Sequence, residues 1–187
     1  MGYSIANSPP STMEASEEVP LFYQKMSSPL GEIWLVSTET HLVAVLWGAE
    51  DRIRAQVRGE MLEQSRPVLQ AAAQQLVEYF NGSRISFDLP ILLQGTEFQK
   101  KVWAILLEIP FGQTKSYGFM ARQLGSIKTS RAVGAANGRN PIAIIVPCHR
   151  VIGANGDLTG FAGGMAAKEW LLRHEGVLKE DRQGVLF

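Results

Sequence analysis

Cysteine is almost missing from this 187-residue chain, with Cys148 its only representative. A single thiol excludes an internal disulfide framework and any zinc site built from several cysteines. Histidine is nearly as scarce: His41, His149 and His174 are too scattered to mark a metal cluster by spacing, so no metal and no cofactor is expected. No apolar run approaches the roughly 20 residues of a membrane span. The first 20 residues also lack the basic start and apolar stretch of a secretory signal. A cytoplasmic protein with no membrane partner is the expectation. Internal repeats are absent too.

What is present is a chain with 45% hydrophobic residues, enough for the core of one or two small domains. Lys and Arg balance Asp and Glu at 18 each, but unevenly along the chain. Residues 1–95 are acidic, whereas residues 96–150 hold eight Lys or Arg against two Asp or Glu. Such a block is either a solvated face or the footprint of a polyanion.

Residues 1–20, with Glu14, Glu17 and Glu18 and few apolar groups, read as a disordered tail. From Leu21 the runs Leu21 to Met26, Ile33 to Ser37 and Leu42 to Trp47 predict an antiparallel meander. Helices are predicted at about Arg52 to Gln64 and about Pro67 to Phe80, the latter opened by proline and stopped by Asn81-Gly82. After an extended stretch from Ile85 to Leu93, Thr96 is a candidate N-cap for an amphipathic helix with Phe98, Val102, Ile105 and Leu106 on one face.

Two short helical segments follow, about Ser116 to Leu124 and about Thr129 to Ala136, separated by Gly125-Ser126-Ile127-Lys128. That is the layout of a helix-turn-helix, and Lys115, Arg122, Lys128, Arg131 and Arg139 around it suit phosphate contacts. Gly138-Arg139-Asn140-Pro141 ends the second helix and feeds Ile142 to Val146, read as a buried strand or extended segment leading to Cys148. Gly153 to Asp157 forms a turn, Gly160 to Gly164 a glycine loop, and Met165 to His174 a last helix.

A thiol with a pKa near 8.5 is mostly protonated at neutral pH unless a neighbour takes its proton. His149 adjoins it, and a turn at Pro147 to His149 would let a water relay the proton. Glu175 is the leading carboxylate to orient the imidazole, with Glu169 and Asp157 as alternatives.

Pro147-Cys148-His149-Arg150-Val151, preceded by Arg131-Ala132-Val133-Gly134 and Asn140-Pro141 and followed by Gly163-Gly164 and Lys168 to Gly176, resembles the O6-alkylguanine-DNA alkyltransferases, also called methylated-DNA–protein-cysteine methyltransferases. The likeness runs from about Gly95 to Leu178 and more loosely over the first half. It implies an α+β fold, with a small ribonuclease-H-like α/β domain carrying an antiparallel sheet over 21–93. A mainly helical, winged-helix-like DNA-binding domain over 94–180 and a tail at 181–187 would follow.

The resemblance implies that Cys148 is the acceptor, consumed as S-alkylcysteine, that His149 is the water-mediated base and that Glu175 orients it. Tyr117 would hydrogen-bond the flipped base and assist departure of guanine. Arg131 would fill the gap left in the duplex, on a helix whose Ala132, Gly134, Ala135, Ala136 and Gly138 let it lie close in the minor groove. Lys128, Thr129, Ser130 and Arg139 complete the DNA-binding set. Val151, Phe161, Ala162 and Gly163 line the base pocket, and Asn140 braces the hinge. The implied partner is alkylated double-stranded DNA, bound by a protein that is monomeric in solution, with cooperative assembly on DNA left open. The implied address is the nucleoid, or the nucleus in a eukaryote.

Phe161 departs from the tyrosine common at that place, which removes a hydroxyl from the pocket wall. The lack of cysteine in the first half argues against the zinc site of some relatives and against the amino-terminal phosphotriester-repair module of the adaptive-response type. Two rival classes remain: a DNA-binding module without chemistry, against which Cys148 argues, and a thiol hydrolase using Cys148, His149 and Glu175.

Overall fold

The structure is a computed structural model that describes residues 20–48, 51 and 55–179. The acidic tail, the last residues and part of the Arg52 to Gln64 helix therefore lie outside the described residues.

Strands β1 (Leu21–Ser28), β2 (Gly31–Ser37) and β3 (Leu42–Leu46) form the expected antiparallel meander. A fourth strand, β4 (Met61–Glu63), pairs parallel with β1, so the order is β3-β2-β1-β4 and the sheet is mixed. This corrects the helix expected to reach Gln64. Ile53, Val57 and Met61 recur at helical spacing, but the open edge of β1 captures Met61 to Glu63, because unpaired strand-edge groups take any segment that can pair with them.

Helix α1 (Pro67–Phe80) has its proline at a first-turn position where a missing N–H costs nothing. Its buried stripe of Val68, Leu69, Ala72, Leu76 and Tyr79 follows the helical period and lies on the sheet. Burial of such a side chain contributes about 1.5 to 3 kcal/mol.

Helix α2 (Glu97–Leu107) begins with a capping box in which Thr96 and Gln99 each satisfy the other's backbone N–H. The face that packs is rotated from the expected one: Trp103 is fully buried beside Val102 and Leu106, whereas Phe98 and Ile105 are half-buried. The Trp103 indole donates to the Ala136 carbonyl at 2.9 Å, tying α2 to the helix before the hinge.

The expected pair of short helices is α3 (Tyr117–Gln123) and α4 (Ser130–Gly138), with a 3₁₀ turn at Ile127–Thr129 between them. Gly125 makes the corner at φ +95°, a conformation costly for any residue with a Cβ. The two-residue strands β5 (Lys115–Ser116) and β6 (Val151–Ile152) pair parallel, and α5 (Gly164–His174) packs on the intervening 3₁₀ turn Cys148–Arg150.

Ile142 to Val146 is buried throughout but is not a strand. Val146 N–H donates to the Ile142 carbonyl at 2.8 Å, and Ile144 sits at φ +73°, so the segment folds back on itself. A β-branched residue there is strained. The apolar run announced burial, and the reversal is imposed by Asn140, whose side chain bonds both ends of the segment.

Candidate functional site

The site is assembled from residues far apart in the chain. The 3₁₀ turn supplies Cys148, His149 and Arg150, all buried. It arises because the Val146 and Pro147 carbonyls accept from the Cys148 and Arg150 N–H groups at 2.8 and 3.0 Å. Asn140, fully buried, donates from Nδ2 to the Val146 carbonyl at 2.7 Å and accepts from Ile142 N–H at 3.1 Å, bracing the segment that carries the thiol. Asn137, on the inner face of α4, reaches the Cys148 carbonyl at 3.4 Å.

Glu175, at the end of α5, is the hub. Its Oε1 accepts from His149 Nε2 at 2.7 Å, Tyr79 Oη at 2.8 Å and Arg150 Nη2 at 3.0 Å. Its Oε2 accepts from Arg150 Nε at 2.9 Å and Gly112 N–H at 3.2 Å. Burial alone would raise the Glu175 pKa, but the bonds from His149 and the Arg150 guanidinium more than reverse this and hold it at about 2. Burial lowers that of His149, opposed by Glu175 and reinforced by the positive charges of Arg150 and Lys168.

The two shifts describe one state: an ionised carboxylate balanced by Arg150, next to a neutral imidazole. An ionised carboxylate only accepts, so the ring proton belongs on Nε2 and the lone pair on Nδ1; this tautomer follows from the hydrogen bonding. His149 Nδ1 is buried and has no hydrogen-bond partner among the described residues. That buried lone pair belongs to the residue that follows the only cysteine in the sequence. Of the three candidate carboxylates, Glu175 alone bonds His149; Glu169 pairs with Arg173, and Asp157 sits in the turn with Asn155.

Lys168 is a second buried cation, donating to the Val151 carbonyl at 2.6 Å and the Thr159 carbonyl at 2.7 Å. Burial pulls its pKa down to about 8, and the negative charge of Cys148 opposes the fall. Thr159 in turn donates to the Tyr117 hydroxyl at 3.2 Å. Burial raises the Tyr117 pKa, with Thr159 and Asn137 opposing and Cys148 reinforcing.

Tyr117, Ser130, Arg131, Gly134, Gly138, Thr159 and Gly160 line one open cleft of about 530 Å³. Arg131, Ala132, Ala135 and Arg139 are exposed along α4, and Lys128 is exposed on the turn before it, where Thr129 is half-buried. The outward face of α4 is thus small and basic, while Val133, Ala136 and Asn137 are buried against the core. Phe161, Ala162 and Gly163 are half-buried, and Val151 is fully buried. The Phe161 ring meets His149 edge-on at 6.3 Å and Trp47 at 5.4 Å. A Cβ on Gly163 would lie 2.5 Å from the Trp47 ring, so only glycine lets the loop approach the residue that follows β3.

Sequence reasoning missed Arg150, Tyr79, Lys168, Asn137 and Trp47. Arg150 stood within the quoted motif and Lys168 within the last helix, where charge on an otherwise packed face was the available signal. Tyr79 looked like ordinary helix core, and nothing local marked its hydroxyl. Among the described residues no cluster of His, Cys, Asp or Glu could hold a metal, and no helix is long and apolar enough to cross a membrane.

Two family profiles match the chain: "6-O-methylguanine DNA methyltransferase, ribonuclease-like domain" over residues 21–93 and "6-O-methylguanine DNA methyltransferase, DNA binding domain" over residues 97–177. The chain is 48% identical to a methylated-DNA--protein-cysteine methyltransferase of Methanosarcina acetivorans, across 83% of this chain and 99% of that one. It is 45% identical to the protein of that name from Shigella flexneri, across 84% and 97%. A Mycobacterium tuberculosis OGT solved in complex with DNA superposes with a TM-score of 0.74 at 43% identity, covering 82% of this chain and 92% of that one.

Proposed function

The chain belongs to the 6-O-methylguanine DNA methyltransferase family, and on that premise we propose that it repairs DNA by moving the alkyl group of O6-alkylguanine irreversibly onto Cys148. The same chemistry extends to O4-alkylthymine. The observation that carries this reading is the buried, unpartnered Nδ1 of His149, a ring backed by Glu175 on the residue next to Cys148 in sequence.

O6 is hidden inside a duplex, so the base must be flipped out at a cost of a few kcal/mol. The outward face of α4 enters the minor groove, Arg131 takes the vacated place, and Lys128, Thr129, Ser130 and Arg139 hold the backbone. The flipped base enters beside Tyr117, Val151, Phe161, Ala162 and Gly163. A bridging water carries the Cys148 proton to His149 Nδ1. The sulfur then attacks the alkyl carbon in line: the S–C bond forms, the C–O bond breaks, and the departing guanine anion takes a proton with help from the Tyr117 hydroxyl. The thioether product has no low-barrier return, so each molecule acts once. The protein is a monomer in solution and acts on double-stranded DNA, in the cytoplasm where that DNA is accessible.

Mass spectrometry after one exposure to O6-methylguanine duplex tests this. One methyl group on Cys148 per molecule is expected, and Cys148→Ser should accept none while still binding DNA. Unmodified Cys148 with turnover of an ester or amide would instead mark a thiol hydrolase.

A further inference from the structure

The proposed reaction places Cys148, His149 and Glu175 in the C-terminal half, yet one donor on the Glu175 carboxylate comes from the other half. Tyr79 lies in the last turn of α1, with no exposed surface. Its ring is enclosed by Phe80, Phe87, Phe111 and His174, with centroids 5.0 to 6.2 Å away. Ring packing alone would be served equally by phenylalanine. The hydroxyl, however, donates at 2.8 Å to Oε1, the same oxygen that accepts from His149 at 2.7 Å.

We infer that Tyr79 is a positioning residue of the alkyl-transfer site: its hydroxyl shares Glu175 Oε1 with His149 and so sets how strongly that carboxylate supports the imidazolium. The inference rests on the function proposed above. Oε1 receives three donors, from His149, Tyr79 and Arg150, although a carboxylate oxygen has about two lone-pair directions. Each donor weakens what the oxygen offers the others. Tyr79 cannot give up its proton to the network, because burial and the adjacent Glu175 charge push its pKa far upward.

The groups that face His149 and Glu175 from the surrounding elements are few. Helix α1 contributes Tyr79, and the 3₁₀ turn contributes Cys148 and Arg150. Helix α5 contributes Lys168 and His174, whose own Nε2 is bonded to the Tyr79 carbonyl at 2.7 Å. The loop after α2 contributes the Gly112 N–H, and α3 contributes Tyr117 through its interaction with Cys148.

Removing the hydroxyl leaves Oε1 to fewer donors and strengthens its bond to His149, which favours the protonated ring. The sign is the same whichever proton distribution reacts. If thiol and neutral imidazole react, the acidic limb of the pH–rate profile reports His149 and moves up. If thiolate and imidazolium react, the alkaline limb reports His149 and moves up. Neither limb moves down.

The test compares the full-length wild type with Tyr79→Phe. In the variant, the His149 Nε2 proton should move downfield in the NMR spectrum, read without DNA. One limb of the profile for transfer from O6-methylguanine duplex should rise by about half a pH unit. Tyr79→Leu, which also loses the ring, should show the same limb shift with a larger fall in melting temperature. An unmoved Nε2 proton together with unmoved limbs, or a shift that follows melting temperature rather than the hydroxyl, overturns the inference. A wild type that transfers no methyl group while the Nε2 proton still moves downfield in Tyr79→Phe defeats the proposed function and leaves the role of Tyr79 standing.

Discussion

The two working regions of this molecule are built on opposite terms. Around Glu175 every charge is buried, and five hydrogen bonds from Tyr79, Gly112, His149 and Arg150 converge on one carboxylate. Along α4, Arg131 and Arg139 stand in solvent beside alanines and glycines, over an open cleft. The first is a low-dielectric network in which removal of one partner strands another. The second is an exposed, basic face of small residues on a formed helix. Chemistry on a thiol needs the former, because proton affinities are tuned by desolvation. Capture of a long polyanion needs the latter, because phosphate contacts are numerous, individually weak and sensitive to salt.

Breaking the buried side should have the larger effect. Glu175→Gln removes the charge that balances Arg150 and the acceptor that orients His149. A loss of about 3 to 5 kcal/mol in denaturant unfolding is expected, with alkyl transfer slowed by roughly a hundredfold or more in the fraction that remains folded. A variant as stable and as fast as the wild type would mean the network is ornamental.

Arg131→Ala should sharpen the contrast, since that side chain is exposed. Stability should change by less than about 0.5 kcal/mol. Transfer from duplex DNA should fall by roughly tenfold or more, because base extrusion is left uncompensated, while reaction with free O6-alkylguanine stays close to wild type. Equal losses on both substrates would remove Arg131 from the flipping step.

Acid separates the two regions most gently. Glu175 is held at about 2 against an ordinary value of 4.5, so its contribution is complete above pH 4.5 and drains away as pH falls toward 2. His149 is lowered from 6.5, so the unfolded chain takes up its proton first, and stability declines as pH drops below 6.5. Melting temperature should therefore fall progressively from pH 7 to pH 3, and Glu175→Gln should flatten the lower part of that curve. A flat wild-type curve would contradict the assigned charges.

The outward region was the more legible in the sequence. The basic block, the glycine between two short helices and the small residues of α4 are all local signals, and they appear where local chemistry put them. The Pro147 to Val151 motif likewise put the thiol and His149 on one buried 3₁₀ turn. The helix expected to run to Gln64 failed for the opposite reason: Met61 continued the helical spacing of Ile53 and Val57, but the edge of β1 decided the conformation of Met61 to Glu63. The reversal at Ile144 was hidden in the same way, because an apolar run says that a segment is buried and not how it turns.

By itself, then, the sequence determined a lone thiol beside a histidine, a basic helix-turn-helix ahead of it and a helical period in α1 that demanded burial. Those properties depend on neighbours a few residues away. Only the tertiary structure decided that the last turn of α1 meets the end of α5, 96 residues along the chain, with a tyrosine hydroxyl on the carboxylate that bonds His149. A buried hydrogen bond between distant residues leaves no periodicity and no composition to read. It exists because a polar atom carried into the core by packing must find a partner there.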